Sequence, residues 1–162
     1  MVKAVGCYFH IRRIGVVKMT EEKVIEMFKS GLDCGQVITY AIAYEIGIDR
    51  TTALKSAAAF GGGIFEADIC GAYVGGLIAV GLKYGHTEPN DGEGKARLIR
   101  KVFEYKERYK ELEFGSKGTG CQDILGYNLT VKEDAEKIEE KNLLFTVCPK
   151  LVVEIIDIVK NL

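Results

Sequence analysis

The sequence contains no tryptophan, only two prolines and no excess of charge of either sign. A formal net charge of −1 over 162 residues gives no electrostatic basis for binding nucleic acid or an anionic membrane. The longest apolar run without a charge, residues 69–82, is too short to cross a bilayer, so no membrane insertion is predicted. The N-terminus lacks the apolar stretch and cleavage site of a signal peptide, and a cytoplasmic location is therefore expected.

Cysteine is present in an odd number, five, so the cysteines cannot all pair within one chain. In the cytoplasm structural disulfides are uncommon, and cysteines more often serve metal binding or redox chemistry. No C-x-x-C spacing occurs, which argues against a zinc ribbon and a thioredoxin-like site. The absence of C-x-x-C-H likewise gives no support for covalently attached haem.

The length predicts one domain with a core of its own. Residues 1–18 lack helical periodicity and are predicted to form an N-terminal extension, either an arm or a short strand. From Thr20 onward apolar residues recur with helical spacing, which predicts an all-α domain over residues 19–162. The expected architecture is a compact bundle of about seven helices.

Helix starts are predicted from capping residues and from one first-turn proline. The predicted start sites are Thr20, Asp33-x-x-Gln36, Asp49, Asp68, Thr119, Thr130-x-x-Glu133 and Pro149. The last segment, residues 149–162, is rich in β-branched residues, so a strand competes with the helix there, but its length favours the helix. The helix over residues 69–84 contains four glycines, each costing roughly 1 kcal/mol of helix propensity. This cost indicates that another backbone or a cofactor approaches one side of that helix.

Four cysteines each lie in the first turn of a different predicted helix: Cys34, Cys70, Cys121 and Cys148. Helix N-termini carry free N–H groups and partial positive charge, so a lowered thiol pKa is expected there. If the four ends converge, they form a pocket for a sulfur-rich centre. The intervals of 36, 51 and 27 residues are not diagnostic, and four dispersed small buried side chains remain the alternative. Cys7 lies outside this pattern and is taken as a bystander.

The segment Cys70-Gly71-Ala72-Tyr73-Val74-Gly75 and its surroundings resemble the C_GCAxxG_C_C family of redox-active proteins. Residues 30–36, 59–63, 81–85, 120–126 and 148–152 resemble the family's other conserved segments, in the same order. The resemblance covers about residues 20–162. Asp33 and Gly35 depart from the usual Asn and Ala but leave the first cysteine in place. A related domain occurs in split-Soret-type cytochromes.

The resemblance implies redox activity, with Cys34, Cys70, Cys121 and Cys148 as redox residues or metal ligands and Gly71 beside the cofactor. Four thiolates without another ligand select iron–sulfur or zinc. An iron–sulfur cluster is the first expectation, because converging positive helix ends suit an anionic cluster and the resemblance implies redox activity. Zinc in a non-catalytic binding module and a metal-free thiol-disulfide enzyme or sensor are the alternatives. A redox partner protein is expected, and a homodimer is compatible with the sequence.

Other conspicuous residues receive plainer interpretations. His86 is interpreted as a surface residue, and Tyr105 and Tyr109 as part of the apolar face of a helix over residues 93–113. Residues 61–63 are three glycines, but they lack a nucleotide-binding motif and a preceding strand. The lysine- and glutamate-rich residues 132–141 are interpreted as a solvated helix face.

Overall fold

The computed structural model describes residues 18–162, and over this range it contains helices and no sheet. The arm or strand predicted for residues 1–18, and Cys7 with it, fall outside that range except for Lys18. The α-helices of five or more residues are α1 (Glu21–Lys29), α2 (Cys34–Ala43), α3 (Arg50–Ala57), α4 (Gly71–Tyr84), α5 (Gly92–Glu111), α6 (Cys121–Leu125), α7 (Lys132–Glu140) and α8 (Cys148–Lys160). The predicted all-α fold is confirmed.

Local capping chemistry explains where several helices begin. The Thr20 side chain accepts a hydrogen bond from the Lys23 N–H, and α1 starts at the next residue. At α2 the Gln36 side chain accepts from the Asp33 N–H at 3.1 Å, as one half of a capping box does. Pro149 lies in the first turn of α8, which excludes the strand alternative for the C-terminal segment.

The capping box predicted at Thr130 and Glu133 is wrong. The N-cap of α7 is Val131, and the helix begins one residue later. The Thr130 hydroxyl instead donates to the Asn128 side chain at 2.7 Å, so it does not accept from the helix. A four-residue helix over Leu143–Thr146, which the sequence analysis did not predict, links α7 to α8.

Helix α4 lies at the centre of the bundle and packs against α2, α5 and α8. Its glycines allow close approach, as predicted. A Cβ added to Gly75 would lie 2.6 Å from the Gly35 Cα of α2, and a Cβ on Gly76 would overlap the Tyr105 ring of α5. Gly81 has no such neighbour within 4 Å. The approaching groups are therefore protein backbone and one tyrosine.

The core runs along α2, α4 and α8, and it includes the buried Tyr105 and Tyr109 of α5, as predicted. Ile99, another apolar residue of α5, is 45% exposed. No helix in the described range is long and apolar enough to cross a membrane.

Candidate functional site

All four cysteines of the predicted constellation lie at helix starts. Cys34, Cys121 and Cys148 are the first residues of α2, α6 and α8, and Cys70 is the N-cap residue of α4. The position at a helix start that the capping patterns predicted is confirmed for each cysteine, although two of the predicted N-cap residues are wrong. No disulfide links them, and all four are free thiols.

These helix starts converge. The four cysteines line one cavity of about 340 Å³, together with Gly71 and a mostly apolar wall that includes Phe28, Leu32 and Ile124. Cys70, Cys121 and Cys148 are buried, and Cys34 is half-buried. The lining contains one carboxyl group, that of Asp33, and no cationic side chain. Tertiary packing thus brings together residues that are far apart in sequence.

A short main-chain pairing connects the segments that carry Cys70 and Cys121. Ile69 and Gly120 form an isolated antiparallel bridge. The Cys70 N–H donates to the Thr119 carbonyl at 2.8 Å, and the Cys121 N–H donates to the Asp68 carbonyl at 2.6 Å. The two cysteine N–H groups are therefore bound by the neighbouring segment, which fixes the distance between the two backbones.

This pairing corrects the caps predicted at Asp68 and Thr119. Both residues contribute backbone carbonyl groups to the bridge, and neither is the N-cap of the following helix. At α6 the N-cap is Gly120, whose N–H donates to the Asp123 side chain at 2.9 Å. Residue types that commonly cap helices stand at both positions, but long-range backbone pairing determines which residue is the N-cap.

Glycine at position 35 sets the distance between the first two cysteines. It follows Cys34 in α2, and a Cβ there would lie 2.9 Å from the carbonyl oxygen of Gly71, which follows Cys70. The adjoining turn of α4 also contacts Gly35, through Gly75. Backbone touches backbone at this crossing, so the starts of α2 and α4 are held side by side.

A left-handed turn over Gly63–Ala67 forms another wall of the cavity. Ile64, Phe65 and Ala67 adopt φ values of +60°, +59° and +56°, which side chains other than glycine rarely take. Gly63 lies directly against Cys121, since a Cβ added there would be 2.8 Å from the Cys121 Cβ. The Phe65 side chain lines the cavity and is 67% exposed. The three glycines at 61–63 precede this turn, but the residue types of the turn itself do not predict it.

The pKa values of the Cys34, Cys70 and Cys121 thiols are raised, so the expectation of lowered values is wrong for these three. Hydrogen bonding to the neighbouring Cys148 side chain and burial both raise the pKa of Cys34 well above its ordinary value. Burial, followed by the proximity of Cys34, raises the pKa of Cys70 to about 12. Burial, followed by the charges of Cys70 and Cys34, raises the pKa of Cys121 to about 12. Desolvation and mutual repulsion therefore outweigh the helix ends at these three residues, and their metal-free thiols are neutral at pH 7.

The sulfur atoms share a cavity but do not surround a single point. Within residues 18–162, no three His, Cys, Asp or Glu side chains are gathered closely enough to hold one metal ion as the side chains stand. A mononuclear zinc site needs four sulfurs at about 2.3 Å from the metal. The cysteine side chains as they stand do not form such a site, and a zinc ion would require them to reorient.

The plainer interpretations of other residues agree with the structure. His86 is exposed in the loop between α4 and α5. Helix α7 is largely exposed and buries only Ile138.

Comparison with known proteins identifies the family. The sequence model of a family described as "Putative redox-active protein (C_GCAxxG_C_C)" matches residues 32–162, which include all four cysteines of the cavity. The chain belongs to this family, as the resemblance of its cysteine segments indicated. No curated protein and no solved structure matches the chain.

Proposed function

Because the chain belongs to the C_GCAxxG_C_C family of redox-active proteins, we propose that its four clustered cysteines form one electron-transfer site that binds an iron–sulfur cluster. The single observation that supports this most strongly is the shared cavity of about 340 Å³ lined by Cys34, Cys70, Cys121 and Cys148. Four thiolates without a nitrogen or oxygen ligand favour iron–sulfur centres or zinc.

The ligand set and the charge of the lining fit an iron–sulfur cluster. Such clusters are commonly held by four cysteine thiolates, the number that lines this cavity. The lining supplies no lysine, arginine or histidine to balance thiolate charge. Four thiolates would therefore repel one another in an apolar cavity unless a metal centre supplies the positive charge.

The residues of this chain would bind, orient and shield such a centre. The four cysteines supply the sulfur ligands, each from the start of a helix, where the helix dipole favours negative charge. The apolar wall, including Leu32 and Ile124, excludes water and lowers the local dielectric constant. When bound, the cluster would exchange single electrons with a redox partner protein. We place this activity in the cytoplasm, where thiols stay reduced.

A second candidate function, a thiol-disulfide reaction, is favoured by one specific observation. The Cys148 thiol lies near enough to Cys34 to raise the pKa of Cys34. In this reaction the two thiols lose two protons and two electrons to form a disulfide, and a disulfide of the partner protein is reduced to two thiols. The raised pKa of Cys34 makes this reaction slow at pH 7, because the thiolate is the reacting form.

Metal and sulfide analysis of the protein purified without oxygen tests the proposal. We expect several irons and acid-labile sulfides per chain, with a broad visible absorption band that bleaches reversibly on reduction. A colourless protein that holds one zinc would contradict the cluster and support the zinc-stabilised alternative. A colourless, metal-free protein whose thiol count falls by two on oxidation would contradict it in favour of the Cys34–Cys148 pair.

A further inference from the structure

A second cavity, of about 480 Å³, lies on the other side of the loop that precedes Cys121. Its walls are the C-terminal half of α5, the loop over residues 115–119 and Tyr73 in the first turn of α4. The volume falls in the range of about 300–1,000 Å³ that is typical of small-molecule sites. Its lining differs from that of the cysteine cavity because it includes lysine side chains, which the cysteine cavity lacks.

Three lysines line this cavity, Lys106, Lys110 and Lys117, and no carboxylate does. Lys110 pairs with the exposed Glu107 at 2.8 Å. For Lys106 and Lys117 the described part of the chain provides no ion-pair partner. In a chain with a net charge of −1, this concave surface is a local concentration of positive charge.

Tyr73 adds a hydroxyl group to the side of the cavity that the three lysines line. Its hydroxyl has no hydrogen-bond partner among residues 18–162, whereas those of the neighbouring Tyr105 and Tyr109 both donate to carbonyl groups. The Lys110 charge lies near enough to lower the pKa of Tyr73, although burial raises it more. The Tyr73 hydroxyl and the ammonium groups of Lys106 and Lys117 are thus free donors on one surface, and Lys110 beside them pairs with an exposed carboxylate.

The base of the cavity is fixed by hydrogen bonds and ring packing. The Tyr109 hydroxyl donates to the Gly118 carbonyl at 3.0 Å, and its ring packs on that of Tyr73 with centroids 4.7 Å apart. The Cys70 N–H holds the Thr119 carbonyl at 2.8 Å. The loop is therefore anchored both to α5 and to the cysteine segment, and the site exists before any ligand arrives.

We propose that this cavity binds a small, multiply charged anion, held by the ammonium groups of Lys106, Lys110 and Lys117 and the Tyr73 hydroxyl. Lysine binds phosphate and carboxylate groups as a mobile point charge, and three such charges on a concave surface suit a ligand with two or more negative charges. The shared loop places the bound anion next to the cysteine cavity. This inference does not depend on which cofactor the cysteines bind.

Isothermal titration of the full chain with inorganic pyrophosphate and, separately, with citrate at low salt tests the site. We expect saturable binding of at least one, and the comparison distinguishes phosphate from carboxylate ligands. Replacing both unpaired lysines, Lys106→Gln with Lys117→Gln, should weaken binding by about tenfold or more. The matched control, Lys55→Gln with Lys95→Gln, removes the same charge at exposed positions outside the lining and should leave affinity within about twofold.

The charge-retaining variant Lys106→Arg should keep binding, which separates loss of charge from loss of fold. Absence of saturable binding of either anion to the wild-type chain would overturn the proposal. So would equal weakening by the cavity pair and the control pair, since that result would mean that only the overall charge of the protein matters.

Discussion

The contact between Gly75 of α4 and Gly35 of α2 predicts that Gly75→Ala destabilises the protein. An added Cβ would lie 2.6 Å from the Gly35 Cα and 3.1 Å from its carbonyl oxygen. Backbone atoms cannot rotate away as a side chain can, so α2 and α4 must separate. Overpacking of this kind costs about 1–3 kcal/mol, more than the roughly 0.5–1 kcal/mol that alanine gains in helix propensity. We expect a net loss of about 1–2 kcal/mol in the free energy of unfolding.

Gly81→Ala, in the same helix, is the matched control. No atom lies within 4 Å of a Cβ added there, so only the propensity gain remains. We expect Gly81→Ala to stabilise the protein by about 0.5–1 kcal/mol. Urea unfolding under reducing conditions, with the two variants and the wild type side by side, measures both changes. A Gly75→Ala protein as stable as Gly81→Ala would refute the close helix crossing and the placement of Cys34 beside Cys70 that depends on it.

Two further predictions concern the thiols and the core. In the metal-free protein, the pKa values of about 12 at Cys70 and Cys121 predict slow alkylation at pH 7, and the rate should keep rising with pH beyond the usual thiol pKa of about 8.5. Because these thiols stay protonated to a higher pH in the folded state than in the unfolded state, the free energy of unfolding should fall as the pH rises above about 8.5. An alkylation rate that levels off near pH 9 would contradict both expectations. Thr39→Val removes a buried hydroxyl that donates to the Ala53 carbonyl at 2.8 Å, and urea unfolding should show a loss of about 1–2 kcal/mol, whereas an unchanged midpoint would contradict this role.

Local sequence patterns predicted the helix starts that depend on local chemistry. Thr20, Asp33 and Pro149 act within one turn of their own helices, and each prediction is confirmed. Asp68 and Thr119 looked equivalent in sequence, but their carbonyl groups pair with a segment about fifty residues away. A capping pattern contains no information about such a competing partner.

That the four cysteines meet in one cavity was predictable from the sequence, but the electrostatics of the cavity were not. The common position of the four cysteines at helix starts, with their motif context, was enough to select them. The raised pKa values at Cys34, Cys70 and Cys121 arise from burial and from one another, which only the folded arrangement reveals. The left-handed backbone conformation of Ile64 and Phe65 could not be predicted either, because neither residue type favours positive φ.

The iron content of single cysteine variants tests the central claim most directly. Wild type and the Cys→Ser variants at positions 34, 70, 121 and 148 would be reconstituted with iron and sulfide without oxygen, beside a Cys7→Ser control. If the four cysteines hold one cluster, each of the four variants loses most of its iron and visible absorption, and the control retains both. A wild-type protein that takes up no iron, or four variants that retain as much as the control, would contradict the proposed single four-cysteine site.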